Sequence, residues 1–179
     1  MLKWWEWENI KKEVFYLKQK LSLSVAMLGI LVALSIVLGK VLSVTVGAFR
    51  VSLENLPVIL AGVWFGPVAG MMVGVVADLL GSVLVGFAIN PIITVGAGAV
   101  GLVAGAVFRT FAKMRVMERL GLAVFWAHLV GSVVIKSVGL RVYYGYPWLV
   151  LWLRLPLYVV IGAIEMLILR EILRRVKHF

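Results

Sequence analysis

Asp78, Lys136 and Arg154 are charged residues set inside long apolar runs. An ionisable side chain at such depth in hydrocarbon costs about 3 kcal/mol unless it faces protein or water, so its first reading is a solute pathway. Asn90, just before Pro91, and Glu54 with Asn55, at the head of another apolar run, add polar groups beside them, and Arg50 stands four residues before Glu54. Their clustering toward one face of the bundle favours a pocket open to the outside, where a solute is met. The plainer alternative is that Asp78 pairs with Lys136 or Arg154 only to neutralise buried charge. Tyr143, Tyr144, Tyr146, Trp148 and Trp152 crowd one short stretch. Either they form an interfacial belt or some of them, Tyr143 and Trp152 among them, stack on a ligand. His128 reads as a packing histidine that Glu165 could partner.

Other chemistry is excluded. There are no cysteines, and the two histidines, His128 and His178, match no metal-ligand spacing. No GxxxxGK[ST] phosphate loop, paired catalytic carboxylates or nucleophile motif occurs, so neither an enzyme nor a metal or cofactor is expected.

The elements that must carry these residues are membrane helices. Of 179 residues, 63% are hydrophobic and 15% charged, and mean hydropathy is +1.08. Apolar stretches run over 21–43, 53–65, 67–87, 91–112, 120–140 and 148–170, giving an all-α bundle of six transmembrane helices. Pro67 and Pro91 stand where helices can begin. The stretch 53–65 would cover only about 20 Å, so the irregular segment 44–55 is expected to complete that crossing. Pro156 should kink the last helix beside Arg154.

Charge fixes the orientation. The net charge is +10, and the basic residues lie between the apolar runs, which points to topology and membrane lipid rather than to nucleic acid. Lys3, Lys11, Lys12, Lys18 and Lys20, then Arg109, Lys113, Arg115 and Arg119, then Arg170, Arg174, Arg175 and Lys177 fall on one side. Lys40, Arg50, Lys136 and Arg141 fall on the other, so both termini are expected in the cytoplasm. Residues 1–20, where Trp4, Trp5 and Trp7 mix with lysines, read as an interfacial amino-terminal segment, and 21–179 as the membrane domain. Small residues recur every four positions at Gly62, Gly66, Gly70 and Gly74, at Ala97, Gly101 and Gly105, and at Gly29 and Ala33, a spacing that lets helices approach closely in lipid.

The run from Arg50 to Gly81, RVSLENLPVILAGVWFGPVAGMMVGVVADLLG, resembles the second and third helices of substrate-binding (S) components of energy-coupling factor (ECF) vitamin transporters. NPIITVGAGAVGLVAG from Asn90 and VIKSVGLRVYYGYPWLVLWLRLPLYVVIG from Val134 are similar to the folate-specific branch, FolT. The resemblance implies a vitamin-binding subunit in a prokaryotic plasma membrane. It would dock on a transmembrane coupling subunit driven by two ATPase subunits, with Gly29 and Ala33 matching the small-residue pair of the first helix that meets the coupling protein. It also implies folate as the ligand, the pterin on Asp78 and the glutamate tail toward Lys136, Arg154 or Arg50. Riboflavin, a queuine-type base or pantothenate remain alternatives, as does a small secondary transporter working alone.

Overall fold

A computed structural model of the chain describes residues 21–46 and 49–176. The expected interfacial segment 1–20 lies outside the described residues. The first helix, α1, runs over Leu21–Val41, its last five residues wound as a π-helix. A two-stranded antiparallel hairpin follows, β1 (Val44–Val46) and β2 (Phe49–Val51), in the register Val44 to Val51 and Thr45 to Arg50. Then come α2 (Asn55–Phe65), α3 (Pro67–Leu84), α4 (Pro91–Thr110), α5 (Val116–Tyr144) and α6 (Trp148–Arg175).

Five of these helices are long and apolar enough to cross a membrane; the sixth expected span is the eleven-residue α2. At about 1.5 Å per residue α2 covers only ~16 Å, roughly half of a hydrocarbon core. The segment expected to be irregular before it is instead the hairpin, which pairs its own backbone groups and so needs no helix to satisfy them. Asn55 to Val63 are all buried, as befits a helix with no polar face.

Proline and glycine set the joints. Pro67 and Pro91 each occupy the first turn of their helix, where a missing N–H costs nothing. Asn90 caps α4, its side-chain oxygen accepting from the amides of Ile92 at 3.0 Å and Ile93 at 3.3 Å. Gly66 turns α2 into α3 with φ of 107°, a left-handed value that excludes a Cβ. There the Arg109 guanidinium donates to the Phe65 carbonyl at 3.2 Å.

The glycine ridges bring α2 and α3 onto α4. A Cβ on Gly62 would stand 2.5 Å from the Gly101 carbonyl oxygen, and one on Gly101 would collide with the Gly70 backbone. One turn higher, Gly74 lies on Ala97 by the same close approach. Leu31, Ile59, Val100, Leu120, Val124 and Leu169 close the apolar core at the end away from the hairpin. Two further helices break their α-winding: α5 is π-helical over His128–Ile135, and α6 is interrupted at Leu153 before resuming at Arg154. Pro156 accounts for that break, since it offers no amide to the carbonyl four residues back at Trp152.

Candidate functional site

At the hairpin end the helices splay around a cavity of about 630 Å³. Every long helix contributes side chains, and helical phase selects which. On α5 the lining residues Lys136, Leu140 and Tyr144 are spaced by four, one face of one helix. On α6 they are Val150, Leu151, Arg154, Leu157 and Tyr158, and on α3 Asp78 and Ser82.

Lys136 is buried, and its ammonium donates to the Glu54 carboxylate at 2.7 Å. Glycines admit both partners. A Cβ on Gly96 would stand 2.7 Å from the Lys136 stem, and one on Gly39 would stand 2.8 Å from the Glu54 Cβ. The Ser35 hydroxyl donates to the Glu54 backbone carbonyl at 2.7 Å, fastening the start of α2 to α1. Lys40 reaches the cavity from the end of α1, its stem crossing Gly81, where a Cβ would be 2.8 Å away, and its ammonium 6.0 Å from the centre of the Phe87 ring.

Asp78 does not pair with Lys136 or Arg154. It accepts instead from the Thr94 hydroxyl at 2.7 Å, one turn above the Gly74 to Ala97 contact that sets the spacing of α3 and α4. The lysine is taken by Glu54, which enters from α2 on the other side. Arg154 is 9% exposed and lies in the cavity wall. Its guanidinium donates to the Ser132 carbonyl at 3.0 Å and to the Tyr158 hydroxyl at 3.3 Å, with the Tyr158 ring centre 5.4 Å away. Both hydrogen-bond partners are neutral.

Of the residues singled out in the sequence, Glu54, Asp78, Asn90, Lys136 and Arg154 therefore meet around one cavity. Asn55 stands behind its wall, donating to the Ser132 hydroxyl at 3.3 Å. Arg50 belongs to the hairpin, opposite Thr45. Tyr143 and Trp152 are not in the lining. They are 54% and 68% exposed, and Trp152, two residues before Arg154, is turned to the opposite side of its helix. Tyr144, Tyr146 and Tyr158 take the aromatic places. Tyr158 follows Arg154 by four residues, and Thr94 follows Asn90 by four, so both were available from spacing alone. Gly29 and Ala33 lie on the exposed face of α1, where a Cβ on Gly29 would meet nothing within 4 Å.

The chain can therefore hold a small molecule of mixed charge between two carboxylates and three cations, at one end of a membrane bundle. The family model described as "ECF-type riboflavin transporter, S component" matches residues 21–175. A solved structure of FolT bound with folic acid is similar at 24% identity, with a TM-score of 0.66, covering 80% of this chain and 88% of that one. The S component of a bacterial ECF transporter is similar at 20% identity, with a TM-score of 0.67, covering 88% of this chain and 97% of that one. No curated protein sequence matches the chain. The chain is a multi-pass membrane protein of the family of ECF-type transporter S components, the vitamin-binding subunits that associate with an ECF module.

Proposed function

We propose that the chain binds folate from outside a prokaryotic cell and delivers it to a transmembrane coupling subunit driven by two ATPase subunits. The observation that carries the ligand is Arg154: a guanidinium kept in the cavity wall by a carbonyl and a phenol, neither of which offsets its charge. A buried cation in this state asks for an anion. Folate supplies two carboxylates on its glutamate tail, while its pterin offers adjacent N–H donors that Asp78 can accept. The cavity volume fits the class, and the outward orientation follows from the excess of basic residues at the opposite end of the bundle.

Riboflavin is the second reading, favoured by the description of the matching family model. Its ring system and ribityl chain carry no anion, so Arg154 would have nothing to neutralise. Calorimetric titration of the purified protein with both vitamins separates the two. Folate is expected to bind at least a hundredfold more tightly; riboflavin binding with no folate binding would replace the ligand. Uptake of folate into proteoliposomes by this chain alone, without coupling partners or ATP, would replace the transport mechanism.

A further inference from the structure

Behind the cavity wall a chain of polar side chains joins three helices. Glu165 of α6 is fully buried, and its Oε2 lies 2.7 Å from His128 Nε2 on α5. His128 Nδ1 lies 3.3 Å from the Ser132 hydroxyl, which also accepts from Asn55 of α2 at 3.3 Å. With Glu165 ionised and the His128 ring neutral the donors fall into one order. Nε2–H donates to the carboxylate, Ser132 O–H donates to Nδ1, and the Asn55 amide donates to Ser132.

His128 and Ser132 both lie in the π-helical stretch of α5. At its end the Lys136 amide reaches back five residues to the Gly131 carbonyl. In an α-helix that amide would close on Ser132 instead. The Ser132 carbonyl receives Arg154, so the widened turn supplies the acceptor that positions the guanidinium. A second path leads to the same place, because the His128 ring lies 5.3 Å from that of Tyr158, whose hydroxyl also receives Arg154.

We propose that His128, clamped by Glu165, is a positioning residue for ligand binding: it holds the π-helical turn through Ser132 and thereby fixes Arg154 in the cavity wall. The consequence for affinity rests on the cavity being the folate site, but the placement of Arg154 can be read without any ligand. The probe is phenylglyoxal modification of the intact protein in detergent, located by peptide mass spectrometry. Arg119 serves as the internal reference, being partly buried and stacked 4.1 Å from the Phe108 ring at the far end of α5.

In His128→Ala, and in the smaller change Ser132→Ala should the first fail to fold, Arg154 is expected to react at least fivefold faster with Arg119 unchanged. An unchanged Arg154 rate would overturn the proposal, and so would equal acceleration at Arg119, which would mean general loosening. Folate titration of the same proteins separates this inference from the ligand. Release of Arg154 in a protein whose native form binds no folate leaves the positioning role standing and removes the vitamin. Native folate affinity with Arg154 unreleased does the reverse.

Discussion

Arg154 and Asp78 ask different things of a ligand, and single substitutions should separate them. Arg154→Gln removes the charge but keeps a polar side chain in the cavity wall, so the fold should persist while folate affinity falls at least tenfold, about 1.4 kcal/mol. The loss should shrink for a folate analogue without the glutamate tail, measured by the same calorimetry. Asp78→Asn keeps an acceptor for Thr94 but replaces one carboxylate oxygen by a donor that opposes the pterin N–H groups. Tenfold weakening is expected here too, with the tail-less analogue affected equally. A variant pair in which both ligands lose alike at both positions would contradict the assignment of ring to Asp78 and tail to Arg154. Tyr143→Ala, by contrast, should leave affinity within twofold, since that ring is exposed and outside the cavity lining.

Among the helices, glycines divide into those that let backbones touch and those that let a side chain pass. Gly101 meets the Gly70 backbone, which cannot yield without moving α3 from α4, so Gly101→Ala should cost about 1–3 kcal/mol and lower the melting temperature in detergent. Gly81 is crowded by the Lys40 stem, a flexible chain that can turn aside, with Ile36 at ordinary contact distance, so Gly81→Ala should leave the melting temperature unchanged or slightly raised. Both glycines stand in apolar runs; the four-residue series of Ala97, Gly101 and Gly105 marks Gly101 for close helix approach, whereas nothing in the sequence says what passes Gly81. Much else at this scale was legible: Pro67 and Pro91 mark helix starts by local chemistry, and Asp78, four residues after Gly74, shares its face and so points into the bundle. The hairpin and the π-helical turn were not, whereas the break at Leu153 was, because Pro156 marks a kink beside Arg154. The π-helical turn depends on what a distant helix offers the backbone, as Arg154 offers Ser132, and the hairpin on backbone pairing within one short segment; hydropathy is blind to both. Lys40 was missed for a related reason. Counted as a loop charge, it enters the cavity only because Gly81 on another helix leaves its stem a path.

Taken as a whole, the molecule concentrates its polar machinery at one end and leaves a small-residue face on the outside of α1. On the proposed function, binding and energy coupling should therefore separate by mutation. Within the described residues Gly29 has no neighbour that a side chain would strike, so Gly29→Leu should neither unfold the bundle nor disturb a cavity built from the other end of α1 and from α2 to α6. Lipid is as apolar as leucine, so the new side chain gains or loses little while it faces hydrocarbon. Its cost appears only when another helix must pack there. A groove of Gly29 and Ala33 admits a partner backbone to close range, and a leucine in it forces the two helices apart. The expected result is native folate affinity by calorimetry together with loss of the coupling subunit in co-purification and of ATP-dependent folate uptake in reconstituted vesicles. Retained uptake would move the docking face elsewhere on the bundle while leaving the cavity's role intact.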